Sequence, residues 1–245
     1  MVVPGNMGRP AYRLYQLAWA GLDWLYPPQC GGCGKSGSRW CVDCRHQTHL
    51  LPSTICTVCG RIHHSPEPCW LCQKALPAYS ALRSWAFFNG PLRKALHRLK
   101  YSRDLALGEV LARPLYEMLH QLNWPIDLVT SVPMGVARRA ERGYNQATLL
   151  AFPLSLASGM TFRSQALIKA RDTRSQVGLN LTQRRENVSD AFLARSEIVN
   201  NKCILVVDDV TTSGATIEAC AEALIKAGAC QVFGLTLARA AINQV

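Results

Sequence analysis

The chain lacks any apolar segment that is long enough to cross a membrane. Its most apolar N-terminal region, from Tyr12 to Tyr26, spans about fifteen residues and is interrupted by Arg13 and Asp23, whereas a spanning helix needs about 20 predominantly apolar residues. A clean apolar core followed by a small-residue cleavage site is also missing, which argues against a secretory signal peptide. These absences predict a cytoplasmic protein with no membrane span.

Acidic residues are scarce as well. The 16 Asp and Glu residues are outnumbered by 27 Lys and Arg residues, so the net charge is +11. This surplus favours an anionic partner, such as nucleic acid or a phosphorylated metabolite, although it also agrees with a basic surface that has no specific partner. With 245 residues, 49% of them hydrophobic and only 18% charged, the chain can form one packed α/β domain and a smaller module rather than long disordered stretches.

Residues 1–29 are predicted to contain one helix. Their apolar side chains recur at spacings of three and four residues, which is typical of an amphipathic helix. We expect this stripe to pack against the globular body, with a membrane-surface role as the alternative. The stripe consists of Leu14, Leu17, Ala18, Gly21, Leu22 and Leu25.

Cysteine is concentrated in a predicted module at residues 30–75, which holds eight of the eleven cysteines. They form four C-x2-C pairs, each able to place two sulfur atoms on one tight turn, and two such pairs complete a tetrahedral Cys₄ zinc site. Two structural zinc ions are therefore expected. The predicted ligands are Cys30, Cys33, Cys41, Cys44, Cys56, Cys59, Cys69 and Cys72.

The pairing of these knuckles is open to two interpretations. Consecutive pairs give the shorter closed loops and are the simpler arrangement, but an interleaved arrangement agrees with the same spacing.

A disulfide framework, as an alternative to zinc, would require an exported chain. An iron–sulfur cluster uses similar thiolates, yet four evenly repeated pairs favour zinc. So small a module has too little hydrophobic core to fold without metal.

The remaining chain, residues 80–245, is organised around one strand and the loop after it. The uninterrupted apolar run from Ile204 to Val207 predicts a strand buried on both faces of a parallel sheet. It ends in Asp208 and Asp209. A short hydroxyl-rich loop containing Gly214 comes next and leads into a helix predicted from Ile217 to Ala227.

This order of elements suits a ribose 5-phosphate. The first turn of a helix offers unpaired N–H groups to a phosphate, and a glycine lets the backbone approach it. The two carboxylates, which are also the candidate catalytic residues, can accept hydrogen bonds from neighbouring sugar hydroxyls or face hydrated Mg²⁺. The alternative is an acid pair and turn that merely cap the helix. The candidate binding stretch is Asp208, Asp209, Val210, Thr211, Thr212, Ser213, Gly214, Ala215 and Thr216.

Basic and amide side chains elsewhere are candidates for binding a diphosphate group, because arginine binds phosphate oxygens through a planar fork. The segment from Arg171 to Asn187 is rich in Arg, Gln and Thr. It could close over a ligand as a lid, lie along single-stranded nucleic acid, or be a solvated loop. The candidates are Lys100, Arg142, Arg171, Gln176 and Arg185.

Together these motifs resemble the ComF/GntX family over nearly the whole chain after about Leu22. The features that carry the resemblance are the four C-x2-C pairs, Val132-Pro133, the stretches 142–146, 171–176 and 185–187, Ala191-Phe192, and the loop from Asp208 to Thr216. The resemblance implies a double zinc ribbon followed by a type I phosphoribosyltransferase fold, an α/β fold with a mostly parallel sheet flanked by helices. It also implies phosphoribosyl pyrophosphate (PRPP) with Mg²⁺ as ligand.

Two functions agree with that resemblance. In the first, a PRPP or ribose-phosphate site belongs to a protein that assists DNA uptake or utilisation in natural transformation, through single-stranded DNA or through DNA-uptake and recombination proteins. In the second, the chain is an active phosphoribosyltransferase that transfers ribose 5-phosphate to an unknown nitrogen acceptor. No base-recognition pocket can be identified from the sequence, so the choice between them stays open.

Overall fold

The structure is a computed structural model that describes residues 9–65, 67–171 and 190–240. Its helices are α1 Pro10–Leu25, α2 Val42–His46, α3 Trp70–Lys74, α4 Gly90–Tyr101, α5 Leu107–Leu122, α6 Val136–Arg142, α7 Gln146–Ser158, α8 Ser196–Val199 and α9 Ala215–Lys226. Its strands are β1 Ala81–Phe87, β2 Leu128–Ser131, β3 Thr161–Phe162, β4 Leu167–Lys169, β5 Phe192–Ala194, β6 Cys203–Thr211 and β7 Gln231–Arg239.

The main sheet has five strands in the order β1-β7-β6-β2-β3, and every neighbouring pair is parallel. Its middle strand, β6, is covered by helices on both faces. Ile204 and Val206 belong to a core shared with α9, whereas Leu205 and Val207 belong to a second core shared with α5 and α7. This arrangement confirms the predicted α/β fold with a parallel sheet flanked by helices.

Strand β6 is longer than its apolar run predicts. It continues to Thr211, because Asp208 pairs with Thr236 and Val210 with Ala238 on the equally long β7. The backbone hydrogen bonds to β7 keep the chain extended where the hydrophobic pattern has already stopped. The acid pair therefore lies within the last residues of the strand and not beyond it.

Helix α1 forms inside the predicted region, but the predicted buried face is wrong. Leu14 and Leu17 are 68% and 67% exposed, while Tyr12 is only 2% exposed. The Tyr12 hydroxyl donates to Oε1 of the buried Glu109 on α5 at 3.1 Å. The Tyr15 ring contacts Phe152 of α7 edge-on, with 5.8 Å between centroids.

The aromatic face of α1 is buried because tyrosine can make a hydrogen bond that leucine cannot. Tyrosine contributes a large apolar area together with a hydroxyl that satisfies the buried carboxylate of Glu109. The leucine stripe is left facing solvent. No helix among residues 9–65, 67–171 and 190–240 is long and apolar enough to cross a membrane.

Replacing one residue on each face of α1 tests this orientation. Tyr12→Ala should lower the free energy of unfolding by about 3–5 kcal/mol, as for other buried aromatic side chains. Leu17→Ala should change it by no more than about 0.5 kcal/mol, as for exposed sites. Guanidinium denaturation followed by circular dichroism measures both. The reverse ranking would show that the leucine face is the packed one.

Candidate functional site

The eight knuckle cysteines form two separate tetrads. In each, the four sulfur atoms lie within 4.8 Å of one another. The first tetrad is Cys30, Cys33, Cys41 and Cys44, and the second tetrad is Cys56, Cys59, Cys69 and Cys72. The knuckles thus pair consecutively, as the shorter loops favour. Four thiolates at this spacing are the donor set of a structural zinc site.

The two tetrads are built in the same way. The first knuckle of each is a turn closed by a glycine at positive φ, Gly34 (78°) and Gly60 (66°). The second knuckle begins a short helix, with Cys41 at the N-cap of α2 and Cys69 at the N-cap of α3. This repetition shows two copies of one zinc-ribbon arrangement.

Burial distinguishes the two tetrads. In the first, Cys33 is exposed and Cys41 is half-buried, whereas all four cysteines of the second are buried. The second tetrad also belongs to the hydrophobic core that contains Ile217 and Leu224 of α9. A metal ion there would lie against the hydrophobic core of the α/β domain.

The acid pair lies at the carboxyl end of β6. Successive residues of a strand point to opposite faces of the sheet. Asp209 forms an ion pair with Lys100 at the end of α4. Oδ1 of the half-buried Asp208 accepts a hydrogen bond from the Asp209 backbone N–H at 2.9 Å. Lys100, predicted as a diphosphate ligand, is thus placed beside the acid pair.

Burial and the neighbouring charges act on these groups in opposite directions. Burial, and then the Asp209 carboxylate, hold the pKa of Asp208 well above its usual value, although Lys100 opposes this. Burial alone would lower the pKa of Lys100, but the Asp209 carboxylate outweighs it, so the Lys100 pKa is raised. The site thus keeps the Lys100 cation beside Asp209 and makes ionisation of Asp208 unfavourable.

The loop after β6 turns sharply into α9. Gly214 adopts φ 92°, which strains residues other than glycine. Helix α9 begins at Ala215, two residues earlier than the predicted Ile217, so Thr216 lies in its first turn. The Ser213 hydroxyl accepts a hydrogen bond from the Ala215 N–H at 3.3 Å. A serine side chain and the start of a helix therefore share this corner.

Two arginines that the sequence analysis missed bind the same loop from behind, that is, from the side of the second tetrad. Arg61 donates to the Ser213 carbonyl and Arg239 to the Thr212 carbonyl, each at 3.3 Å. Arg61 is 152 positions from Ser213, so no local spacing links the two. The one feature of the sequence that could have indicated either contact is Arg239, a charged residue at the end of the mostly apolar strand β7.

The other anion candidates have different surroundings. The Arg142 guanidinium lies 5.0 Å from the centre of the Tyr101 ring and donates to Gln146 Oε1 at 3.3 Å. Arg171 is exposed. The candidates Gln176 and Arg185, with the remainder of the proposed lid, lie outside the described residues.

A cavity of about 380 Å³ lies between the second tetrad and the start of α9. Its walls include Arg61, Tyr79, Ser213, Gly214 and Glu218. Neither acid of the pair lines it. The loop is therefore bordered by this cavity on the side of the second tetrad.

Comparison with known proteins agrees with this architecture. Residues 21–74 match the double zinc ribbon domain family, and residues 110–243 match the phosphoribosyl transferase domain family. Fold and site thus define a double zinc ribbon joined to a phosphoribosyltransferase-type domain.

Whole-length relatives make the assignment more specific. The chain is 34% identical over 226 residues to DNA utilization protein YhgH of Escherichia coli (strain K12), covering 88% of this chain and 96% of that protein. It is 27% identical over 223 residues to Competence protein F of Haemophilus influenzae, covering 81% and 96%. It is also 27% identical over 201 residues to Competence protein ComFC of Streptococcus pneumoniae, covering 81% and 87%. The chain belongs to the ComF family.

The difference in burial predicts two rates of metal loss. Purified protein should contain two zinc ions per chain, and a chromogenic chelator should remove them in a fast and a slow phase, because only the first tetrad has an exposed cysteine. Cys33→Ser should abolish the fast phase and leave the slow one. A single phase, or loss of the slow phase in Cys33→Ser, would contradict this assignment.

The raised pKa of Asp208 predicts a pH-dependent stability. The folded-state pKa lies above the unfolded value of about 3.9, so the folded protein loses stability as pH rises from that value through the folded pKa. Asp208→Asn, which does not titrate, should therefore be more stable than the wild type at pH 8. The gain should shrink towards pH 4. Urea denaturation across this range measures it, and a gain independent of pH would refute the explanation.

Proposed function

We propose that this chain binds PRPP, or a related ribose 5-phosphate, at the carboxyl end of β6 and uses that site in handling DNA taken up by the cell. One observation carries the proposal. The half-buried Asp208 and the Lys100-paired Asp209 lie at the end of a central strand that leads, within five residues, into the glycine-started helix α9. Acceptors for sugar hydroxyls are thus followed directly by donors for a phosphate.

Each part of the ligand has matching groups. The carboxylates of Asp208 and Asp209 would accept hydrogen bonds from the ribose hydroxyls. The backbone N–H groups at the start of α9, with the hydroxyls of Thr212, Ser213 and Thr216, would hold the 5-phosphate. The positive end of the α9 dipole adds to this attraction.

A diphosphate group would require positive charge in front of the acid pair. Lys100 is already there, and Arg142 follows the adjacent strand β2. Arg171, Gln176 and Arg185 remain candidates for the same role. Mg²⁺ bound with PRPP, facing Asp208 and Asp209, would neutralise diphosphate charge.

The DNA part of the proposal rests on relatives and on charge. Similar proteins carry the names DNA utilization protein and Competence protein F, and this chain has a net charge of +11. A basic protein attracts the phosphates of single-stranded DNA. We place the protein in the cytoplasm, where it would receive incoming single strands and meet DNA-uptake or recombination proteins.

Substituting acidic residues near the two ends of β6 tests the ribose-phosphate site. Asp208→Asn with Asp209→Asn should weaken PRPP binding about 10- to 100-fold, since a hydrogen bond to a charged group contributes about 1.5–3 kcal/mol and the neutral Asn oxygens still accept part of the bonding. Asp127→Asn is the matched control, because Asp127 accepts the Cys203 N–H at the opposite end of β6. Isothermal titration with and without Mg²⁺ measures the affinities. Equal binding by all three proteins would refute the site.

The DNA role needs its own measurement. Fluorescence anisotropy with labelled single-stranded DNA should show affinity that falls as salt rises, because binding releases counterions. Pyrophosphate release from PRPP that depends on Asp208 and Asp209 would instead identify a transferase. Absence of DNA binding at low salt would refute the DNA part and leave the ribose-phosphate part to its own test.

A further inference from the structure

We propose that Arg61 and Arg239 are positioning residues that hold the loop at residues 211–214 in its anion-binding shape and connect it to the second tetrad. The inference rests on the proposed ribose-phosphate function, which it deepens by naming what orients the donors. It concerns side chains that lie behind the loop. Neither arginine needs to touch the ligand.

The hydrogen bonds determine the direction in which the loop's amides point. The Thr212 and Ser213 carbonyls accept from Arg239 Nη1 and Arg61 Nη2, each at 3.3 Å. In a planar trans peptide the N–H points opposite to the C=O. Drawing these two carbonyls towards the arginines therefore turns the N–H groups of Ser213 and Gly214 away from them, towards the side where a phosphate would bind.

Both arginines are also bonded to the second tetrad. Arg239 Nη2 donates to the Cys59 carbonyl at 2.6 Å. The Arg61 carbonyl accepts the Cys56 N–H at 2.7 Å and so closes the knuckle. The position of each guanidinium thus depends on how the backbone around Cys56 and Cys59 is folded.

That knuckle is itself fixed to the sheet. The Leu82 N–H of β1 donates to the Val58 carbonyl at 2.8 Å. Gly60 lies so close to the Leu82 carbonyl that a side chain there would collide with it. The second tetrad therefore gives the arginines a rigid support, and metal in the tetrad would make that support firmer.

Thr211 and Gly214 are buried, but the middle of the loop borders open space. The cavity of about 380 Å³ is lined by Ser213, Gly214 and Arg61, so space lies between the loop and the second tetrad. The Nε atoms of Arg61 and Arg239 are buried without a hydrogen-bond partner among the described residues. Burying such donors is unfavourable, which favours a specific role for both guanidinium groups.

The experiment compares Arg61→Met and Arg239→Met with Arg83→Met. Arg83 is the matched control, because it donates to the Thr57 and Leu82 carbonyls, at 2.8 and 3.0 Å, and so also contacts a knuckle of the second tetrad. Its hydrogen bonds in the described structure do not reach residues 211–214. Hydrogen–deuterium exchange of the ligand-free proteins, the dissociation constant for PRPP and the zinc content are measured for each.

Arg61→Met and Arg239→Met should each speed amide exchange at Ser213 and Gly214 and weaken PRPP binding about three- to tenfold, the effect of one or two lost hydrogen bonds. Arg83→Met should leave both unchanged, and all variants should keep two zinc ions. Arg61→Lys should restore part of the affinity, since a lysine can still donate to the Ser213 carbonyl. If the buried Arg239→Met variant does not fold, the partly exposed Arg61 provides the test.

Unchanged exchange at residues 211–214 in Arg61→Met would overturn the proposal. An equal effect of Arg83→Met would also overturn it, because the cause would then be general loosening of the second tetrad. A wild type that binds no PRPP, while Arg61→Met still speeds exchange, would refute the ribose-phosphate function and support the positioning role. The two ideas can therefore fail separately.

Discussion

The pairing of β6 with β7 beyond the apolar run is the interaction on which the rest of the site depends. Because the ladder continues to Thr211 opposite Arg239, the acid pair stays in extended backbone and the chain bends only after Thr211. The same register brings the Arg239 side chain to the back of the loop. One set of backbone hydrogen bonds thus positions the carboxylates, the turn and a guanidinium together.

The acid pair is placed at a cost to stability. The half-buried Asp208 lies beside the buried Asp209, which makes the ionised form of Asp208 unfavourable, and Lys100 offsets this only in part. Grouping like charges at the carboxyl end of a strand is typical of sites that bind a ligand, where function and stability oppose each other. A sugar with several hydroxyls would supply the hydrogen bonds that the carboxylates would otherwise take from water.

The second tetrad is more than an attached module. Its cysteines share a hydrophobic core with Ile217 of α9 and contact the loop at residues 211–214 through Arg61 and Arg239. The first tetrad, with its exposed Cys33, has a more peripheral position. The double zinc ribbon therefore divides into a part near solvent and a part on which the proposed ligand site is built.

By itself, the sequence determined the features that local pattern encodes: four knuckles with zinc-ligand spacing, the buried run at Ile204–Val207, and the acid pair ahead of a glycine-containing loop. Only the tertiary structure decided the length of β6, the buried face of α1, the Lys100–Asp209 ion pair and the binding of Arg61 to Ser213. The reason is physical. Spacing along a chain reports the turn or face that neighbouring residues share, whereas a partner 152 positions away is chosen by strand register and by which side chains can satisfy a buried polar group.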